Sequence, residues 1–392
     1  MQVMSQDIEY YLDAARDLAV RVAAQADRID ADRQIPAELA GEMAGKGFFR
    51  LLLPRSLGGA ELPHPDFRRI LEVFAEVDAS TAWCINQNNV FSTDCVRMPE
   101  ETAREIWGEE RAVVTNGPPS SSAKAIPVDG GYRLSGHWDF SSGSTHATWI
   151  AALTPVVKTD GGSAGLAGPG GRPEMRIMLL PKKGVNFVDL WQVNGLRGTG
   201  SFSFELEDVF IPNHRTYSQG DPCRENGPIY VIPRTLLFGS GFATVALGVA
   251  RAALKKAIEL ATEKTPLRST TVLQDQTTTQ RLIGEAEATW RSADAYLRES
   301  AGAVWQSACQ NRSLETGERI QLRLAATHAI TMAAKTVDIA YNLCGSDAIF
   351  TGNPIHRKFQ DIHVVTQHAQ GRPVHYETAG QFLLGMEPQG NF

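Results

Sequence analysis

The sequence predicts a mainly α-helical protein with a central β domain, because the spacing of its apolar residues changes twice along the chain. Up to about Arg111, apolar residues recur every three or four positions, which is typical of amphipathic helices. The following segments are short, alternate with period two and are bounded by Gly and Pro, as strands are. After Pro233 the helical spacing returns. The three blocks predict domains at residues 1–115, 116–225 and 226–392.

The first block predicts four helices. Ile8, Leu12 and Ala15 begin an apolar stripe with helical spacing that runs from Asp7 to at least Val22. Prolines suited to a first helical turn open two later segments, and a glycine at position 47 ends one of them. The later helices are predicted at 36–46, 63–77 and from Ser80 towards Cys95.

The central block predicts strands. Asp129-Gly130 separates the strand-like stretches "KAIPV" and "YRLSGHW" and is a hairpin signal, while residues 201–206 alternate with period two. Further short strands are predicted in "HATWIAALTPVV", "MRIMLLP" and "VNFVDLWQV". The stretch "DGGSAGLAGPGG" at 160–171 lacks the G-x-G-x-x-G order and opens no helix. It is predicted to be a mobile loop, and no Rossmann unit is expected.

The last block predicts a bundle of four long helices. Asn353-Pro354 supplies a cap and a first-turn proline for the last of them, and Gly371 and Pro373 follow its predicted end. The helices are predicted at 236–262, 274–309, 315–344 and 354–370.

Composition restricts the class of protein. The 392 residues carry a net charge of −6 with no block of like charges, so nucleic acid is an unexpected partner. The five cysteines form no C-x-x-C pair and suit a reducing cytoplasm. The N-terminus lacks the features of a secretory signal. The apolar run 235–250 is too short to span a bilayer and is interpreted as a buried helix, so no membrane association is expected.

Three motifs carry a resemblance to a known family. The stretches "GYRLSGHWDFSSG" and "NGLRGTGSFSFELEDVFIP", with the capped helix ending "QDIHVVTQHAQG", resemble the acyl-CoA dehydrogenase superfamily over nearly the whole chain. The resemblance implies an N-terminal helical domain, a small β-barrel or sandwich and a C-terminal four-helix bundle. Within the superfamily, the sequence is most similar to the two-component flavin-dependent monooxygenases that hydroxylate 4-hydroxyphenylacetate or steroid-derived phenols.

Departures from the dehydrogenases support that branch. Dehydrogenases hold their thioester with a turn that is replaced here by "TNGPPSSSAKA", and "HWDFSSG" is closer to the W-x-F-x-S-G of the monooxygenases. Abstraction of an α-proton needs a carboxylate base, whereas Asp361 is followed by "IHVVTQHAQG" without one. Some dehydrogenases supply this base from a glutamate on another helix, so the dehydrogenase alternative stays open.

The resemblance implies an oxygenase that hydroxylates an aromatic, phenolic substrate. It would use reduced FMN or FAD from a separate NAD(P)H:flavin reductase, with O2 as co-substrate and a C4a-hydroperoxyflavin as the oxygenating species. The family is commonly tetrameric, so a homotetramer or homodimer is expected. The alternatives are an acyl-CoA dehydrogenase-type flavoenzyme, an enzyme that oxygenates nitrogen or sulfur, and a non-catalytic flavin binder.

The resemblance also assigns residues to the flavin. Ser142 corresponds to the serine that contacts flavin N5, with Ser141 as the alternative if the register shifts by one. Trp138 and Phe140 are expected to wall the ring, although aromatic residues with period two also suit a plain core. Further contacts are expected from Thr199, Ser201 and, across a subunit interface, Arg268. The alternative is that the serines and glycine-rich turn only shape the backbone and that Arg268 is solvated.

His368 is the expected catalytic base, at the place where the monooxygenases direct a histidine at the substrate. An imidazole can accept the proton of a phenol, although a histidine there could also merely favour the helix dipole. His363 precedes it by five positions, a helical turn of about 140°, so the two do not form a zinc pair and no metal site is expected. His363 is expected to pack in the bundle or support the cofactor side.

Other polar residues are candidates for substrate contacts. Asn116 could face the pocket or cap a turn, and His146 could lie near the flavin or simply start a strand. Asn89, with Asn88, lies where several relatives of the family place a histidine. Three further histidines are interpreted as surface or cap residues: His64, His214 and His356.

Overall fold

The computed structural model describes residues 2–157, 167–168, 172–390 and 392, and it confirms the predicted fold class. Helices occupy the chain up to residue 107 and again from residue 234, and the described strands lie between 114 and 217. The exact domain limits at 115/116 and 225/226 stay predictions.

The N-terminal helices follow the predicted order. Their bounds are α1, Gln2–Asp32; α2, Ala37–Gly45; α3, His64–Val77; α4, Ala79–Ser92; and α5, Glu100–Trp107. Pro36 and Pro63 precede α2 and α3, and Gly47 has the positive φ expected after a helix. α4 ends three residues earlier than predicted and continues as a 3₁₀ segment to Arg97. The sequence analysis missed α5, which is only eight residues long.

The central region contains two four-stranded sheets and a short pair. The strands are β1, Val114–Gly117; β2, Lys124–Val128; β3, Gly131–Ser141; β4, Trp149–Pro155; β5, Ala167–Gly168; β6, Arg172–Pro173; β7, Met175–Pro181; β8, Asn186–Val188; β9, Phe202–Pro212; and β10, Thr216–Tyr217. The sheet orders are β1-β4-β7-β10 and β2-β3-β9-β8. The hairpin at Asp129-Gly130 is confirmed, because β2 and β3 pair antiparallel with Val128 opposite Gly131.

The remaining helices include the predicted bundle. They are α6, Arg234–Glu263; α7, Thr277–Asn311; α8, Thr316–Cys344; α9, Pro354–Gln367; and α10, Val374–Leu383. The predicted cap of α9 is confirmed, because the Asn353 side chain accepts a hydrogen bond from the amide of Ile355 at 2.9 Å. α9 ends at Gln367 and not at Gln370, since His368 adopts an extended backbone. α10 was not predicted.

Helix α6 is the central helix of the molecule. It packs on α3, α4, α7, α8 and α9. A Cβ at Gly241 would collide with the amide of Asn86 on α4, and one at Gly248 would collide with Ala75 on α3, so glycine permits close packing at both contacts. By length and composition α6 could cross a membrane, but 89% of its most apolar window is buried inside the protein. It is the buried helix that the sequence predicted.

Two apolar clusters organise the described residues. The larger joins the N-terminal helices to the bundle, and the smaller lies within the central region around Trp138 and Phe204. The predicted loop at 160–171 lies largely outside the described residues. Only its residues Ala167–Gly168 are described, and they form β5.

Candidate active site

A cavity of about 510 Å³ opens where the central region meets the helices. The central region contributes hydroxyl groups, the amide of Asn116 and the rings of Phe140 and Trp191, and the helices contribute further aromatic rings and amides. None of the described residues of the cavity lining is an aspartate or a glutamate. Its residues are Trp83, Gln87, Asn116, Pro118, Phe140, Ser142, Trp191, Leu196, Thr199, Ser201, Phe238, Phe242, Val364, Gln367, His368, Ala369, Gln370 and Arg372.

Two of the predicted motifs meet at one wall of the cavity. The amide of Gly143, in "FSSG", donates to the carbonyl of Thr199, in "GTGS", at 2.7 Å. The Ser142 and Ser201 hydroxyls lie 2.7 Å apart, and Ser201 and Thr199 are also 2.7 Å apart. The Thr199 hydroxyl then donates to the carbonyl of Leu196 at 2.8 Å. We call Ser142, Ser201 and Thr199 the hydroxyl chain.

The hydroxyl chain has a fixed direction. Because the Leu196 carbonyl can only accept, the single proton of Thr199 points to it, so Ser201 donates to Thr199 and Ser142 donates to Ser201. The indole Nε1–H of Trp83 donates to the Ser142 oxygen at 3.2 Å. With its proton already committed, the Ser142 oxygen can offer the cavity only a lone pair. It is therefore an acceptor for a ligand N–H or O–H.

The wall next to Ser142 is aromatic and is built on α4 and α6. Asp78 caps α4, because its carboxylate accepts from the amide of Thr81 at 2.7 Å. Trp83, one turn further along, stacks on Phe242 of α6 with ring centroids 3.8 Å apart. The imidazole of His368 stands edge-on to both rings, at 5.1 Å from Trp83 and 4.7 Å from Phe242. Flat aromatic ligands suit such a wall.

His368 lies in the cavity lining, directly after α9. Its Nδ1 accepts from the amide of Gln370 at 3.3 Å, so in the neutral ring Nε2 carries the proton. Burial, with Arg372 and Arg323 nearby, lowers its pKa to about 4. The ring is therefore neutral near pH 7 and is arranged as a hydrogen-bond donor, whereas the sequence analysis expected a base.

Asn116 also lines the cavity, which matches the predicted alternative in which it faces the pocket. Its side-chain oxygen accepts from the amide of Gln87 on α4. This pair joins the central region to the helices beside the aromatic wall. The Gln87 oxygen and the Asn116 nitrogen remain available, and together they offer one acceptor and one donor.

Phe140 stands at the rim of the cavity, edge-to-face with Trp191 at 6.2 Å. It is 62% exposed and has a φ of 56°, which is unfavourable for a phenylalanine. It lies where β3 and β9 lose register between Trp138 and Ser141. A large apolar side chain held in this way is suited to contact a ligand.

Two residues expected to contact flavin lie away from the cavity. Trp138 is fully buried in the smaller core, stacks on Phe204 with centroids 5.1 Å apart and donates to the carbonyl of Leu153 at 3.0 Å. Its position therefore contradicts a role as a flavin wall and matches the core alternative. Ser141 is also fully buried, and its hydroxyl has no hydrogen-bond partner. It is Ser142 that faces the cavity.

Asn89 and His146 do not line the cavity either. Asn89 is buried, and its amide binds the backbone around residues 48–52, accepting from Leu51 at 2.6 Å and donating to Phe48 at 2.7 Å. His146 stacks on Phe49 at 4.8 Å, and its Nε2 lies 3.1 Å from the oxygen of Asn88. Burial lowers the pKa of His146 to about 3. Both residues hold the fold together beneath the site.

Arg268 lies in the exposed connection between α6 and α7, outside the cavity lining. His363 packs on Phe359 at 4.5 Å, and its Nε2 lies 2.9 Å from the carboxylate of Asp338 on α8, as expected for a bundle residue. Among the described residues, no group of three or more His, Cys, Asp or Glu side chains could hold a metal ion.

The surface interpretation of three histidines was wrong for His64. This residue opens α3 and is almost fully buried, with its Nε2 2.9 Å from the hydroxyl of Ser240. His214 is exposed, and His356 binds the carbonyl of Ala348 near the start of α9.

The sequence analysis missed most of the helical wall. Trp83 and Gln87 are four residues apart on α4 and share a face, whereas Asn89 points away. Applying that periodicity to "WCINQNN" would have selected Gln87 instead of Asn89. Phe238 and Phe242 repeat the same spacing on α6. The turn residues Gln370 and Arg372 gave no periodic signal.

Sequence profiles of the acyl-CoA dehydrogenase N-terminal and C-terminal domains match residues 5–110 and 240–373, which together make up more than half of the chain. The chain belongs to the acyl-CoA dehydrogenase family. Within this family, the chain is 28% identical over 380 residues to an indole-3-acetate monooxygenase of Pseudomonas putida, with 97% of this chain and 94% of the relative covered.

Two further similarities point to the same branch of the acyl-CoA dehydrogenase family. The chain is 26% identical over 387 residues to the oxygenase component of an FADH(2)-dependent resorcinol hydroxylase of Rhizobium sp., with 92% of this chain and 90% of the relative covered. The fold matches the crystal structure of the HsaA monooxygenase of M. tuberculosis with a TM-score of 0.88 and 24% identity, over 98% and 99% of the two chains. The named relatives are thus monooxygenases, one of them explicitly dependent on reduced flavin.

The cavity of this acyl-CoA dehydrogenase family member fits a reduced flavin ring. Its volume is within the range of cofactor and small-molecule sites, roughly 300–1,000 Å³. Reduced flavin carries a proton on N5, and the Ser142 oxygen is an acceptor because of the direction of the hydroxyl chain. Oxidised flavin has only a lone pair at N5, so an N5 placed beside Ser142 would gain no hydrogen bond from its oxygen. The ring would be held by the hydroxyl chain, which is Ser142, Ser201 and Thr199, and by Phe140 at the rim.

Proposed function

We propose that the chain is the oxygenase component of a two-component flavin-dependent monooxygenase that hydroxylates an aromatic substrate. A separate NAD(P)H:flavin reductase would supply reduced FMN or FAD. The single observation that carries the proposal is the direction of the hydroxyl chain, which leaves the Ser142 oxygen as an acceptor in the cavity beside an aromatic wall.

Different residues of the cavity would bind the flavin, exclude water and orient the substrate. Reduced flavin, when bound, supplies the chemistry that activates O2. Ser142 would orient the ring by accepting a hydrogen bond, and the aromatic wall of Trp83 and Phe242 would exclude water and stack the substrate. His368 would donate its Nε2 proton to an oxygen of the substrate and fix the position of the aromatic ring.

The dehydrogenase alternative fits the cavity less well. Abstraction of an α-proton needs a carboxylate within reach of the substrate, and the described cavity lining contains none. Oxygenation of nitrogen or sulfur needs no such base, so it remains the second candidate. No described residue of the cavity lining favours oxygenation of nitrogen or sulfur over hydroxylation of an aromatic ring.

Reconstitution with a flavin reductase tests the proposal. Protein, NADH, reductase and FMN or FAD would be mixed with aromatic acids and phenols under ¹⁸O2, and products would be analysed by mass spectrometry. We expect one labelled oxygen in the product and reduced flavin bound at least tenfold more tightly than oxidised flavin. Tight binding of oxidised flavin, together with its anaerobic bleaching by acyl-CoA, would identify a dehydrogenase instead.

We further infer that the protein is cytoplasmic and assembles as a homotetramer or homodimer. Large apolar side chains are exposed on the bundle and its C-terminal extension: Leu267, Ile349, Phe350, Leu383 and Leu384. Arg268 follows Leu267, so a second copy that covers this connection would bring the guanidinium into an interface. Light scattering after size exclusion tests the assembly. Arg268→Gln should weaken reduced-flavin binding without changing the mass, if the arginine serves a neighbouring site.

A further inference from the structure

The turn that follows α9 presents hydrogen-bond donors to the cavity. His368 offers Nε2–H, because its Nδ1 already accepts from the amide of Gln370. The side-chain oxygen of Gln370 accepts from the guanidinium of Arg323, so its NH2 group is the free end. Arg372 adds an exposed guanidinium, with no ion pair to any carboxylate among the described residues. The remaining polar group here, Gln367, is uncharged.

Arg323 is a buried charge behind this turn. Its side chain is 1% exposed, and its described partners are neutral: the oxygen of Gln370 and the carbonyl of Thr235, the latter at 2.9 Å. Its Nε–H is buried without a partner. Burial lowers the pKa of Arg323 to about 10, and no carboxylate opposes that effect. An unpaired buried cation is destabilising unless a ligand compensates for it.

The electrostatics of the neighbouring histidines agree with this geometry. Burial lowers the pKa of His368 and of His375, Arg323 and Arg372 lower both further, and no acidic group acts in the opposite direction on either ring. His375 is buried beside the turn, where it donates to the carbonyl of Ala369 at 2.9 Å. This end of the cavity therefore carries positive potential without a counter-charge from the described residues.

We propose that this turn binds the carboxylate of an aromatic substrate, with Arg372 as its direct ligand and Gln370 and His368 as additional donors. Arg323 is a positioning residue, which holds the Gln370 amide in the orientation that offers NH2. The inference rests on the proposed function only in taking the cavity as the substrate site. A carboxylate has two oxygens and matches a guanidinium in bidentate geometry. A phenol oxygen could accept from one of these donors, whereas a carboxylate can accept from all three and also neutralises the charge of Arg372.

Binding without turnover tests the proposal. Calorimetry would compare indole-3-acetate with indole-3-acetamide, and phenylacetate with phenylacetamide, on the flavin-free protein and anaerobically with reduced FMN. We expect each acid to bind at least tenfold more tightly than its amide. Arg372→Gln should abolish this preference by weakening only the acids, and Arg372→Lys should retain part of it. Arg281→Gln removes an equal charge on the exposed face of α7 and should leave the affinities for the acid and for the amide unchanged.

Arg323 is tested by a separate variant. Arg323→Met removes the buried charge and frees the Gln370 amide to rotate. We expect the preference for acid over amide to fall at least threefold while thermal stability is unchanged or higher, because replacing a buried charge with an apolar chain is often stabilising. A purely structural arginine would instead lower stability and leave the preference intact.

Two results would overturn the proposal. Equal affinity of native protein for acid and amide would remove its basis, as would a preference that survives in Arg372→Gln. Loss of reduced-FMN affinity in Arg372→Gln with an unchanged acid preference would assign the arginine to the flavin phosphate. None of these measurements requires turnover, so an acid preference without any oxygenated product would refute the proposed function and leave this inference standing.

Discussion

Ser142 ends the hydroxyl chain at the cavity. Its replacement is expected to uncouple the consumption of NADH and O2 from hydroxylation of the substrate. In Ser142→Ala the acceptor for a flavin N–H is lost, which costs on the order of 1–3 kcal/mol in a buried site. We expect reduced flavin to bind more weakly and NADH consumption to yield hydrogen peroxide in place of hydroxylated product. The measurement is product formed per NADH consumed.

Ser141→Ala is the matched control for that experiment. It removes a buried hydroxyl that is one position away, has no hydrogen-bond partner and does not line the cavity. We expect its coupling to equal that of the native protein. If Ser141→Ala uncouples the reaction and Ser142→Ala does not, the flavin contact belongs to Ser141.

His368 is predicted to act on the substrate and not on oxygen reduction. His368→Ala removes the donor that stands edge-on to Trp83 and Phe242, so the substrate loses its orientation. We expect product yield to fall by ~10²-fold or more while NADH consumption continues. His363→Ala, which removes a histidine on α9 outside the cavity, should lower stability and preserve yield. Preserved yield in His368→Ala would contradict the assignment.

The pairing of α9 with the loop before β9 shapes the floor of the cavity. The buried carboxylate of Asp361 accepts from the amide of Leu196 at 2.7 Å, and Leu196 has a φ of 50°. Burial raises the pKa of Asp361 to about 7, although Lys358 nearby opposes this effect. Asp361 thus holds the residue whose carbonyl ends the hydroxyl chain.

Asp361→Ala should disturb both stability and the site. The orphaned Leu196 amide would lower the free energy of unfolding by about 1–3 kcal/mol. Because Leu196 anchors Thr199, we expect weaker binding of reduced flavin as well. Urea denaturation and anaerobic flavin titration measure the two effects. Asp361→Asn keeps an acceptor and should be milder, and Asp338→Asn on α8 is a control that should leave flavin binding unchanged.

Regular elements were predictable from the sequence, and the connections between them were not. Apolar spacing indicated the helical blocks, because burial of one face dictates that pattern, and Pro, Gly or Asn at helix ends located α2, α3 and α9. The motifs around Ser142 and Thr199 were also identified, although only folding brings them within hydrogen-bond distance. Trp138 was misassigned because period-two alternation does not distinguish a core ring from a ligand-facing one. Arg372 was missed because a turn residue has no periodicity.

The stability of the whole protein should fall in mild acid, because buried histidines remain neutral in the fold. Burial lowers the pKa of His64 to about 3, against 6.5 in the unfolded chain. Below pH 6.5 the unfolded chain binds a proton at His64, whereas the folded protein does not. The contribution of His64 to the free energy of unfolding is therefore fully present above pH 6.5 and is lost as the pH falls towards 3. Between pH 7 and 5 the loss is about 2 kcal/mol.

His64→Gln isolates that contribution. His146 acts in the same direction, and Asp361, whose pKa is raised, acts in the opposite one, so only the difference between native protein and variant reports His64. We expect the stability advantage of the native protein over His64→Gln to shrink by about 2 kcal/mol between pH 7 and 5. Denaturant titrations at both pH values measure it. A constant difference would mean that His64 takes up its proton as readily in the folded protein as in the unfolded chain.

The cavity has two walls of separate origin: hydroxyls and the rim aromatics from the central region, and rings, amides and the cationic turn from α4, α6 and the end of α9. Mutations that alter the helical wall can therefore change which compound is accepted without touching the residues that hold the flavin. For directed evolution this means that a library confined to Gln87, Phe238, Phe242 and Arg372 should yield altered selectivity at little loss of coupling. Diversity introduced at Ser142, Thr199 and Ser201 should yield mostly enzymes that waste reductant.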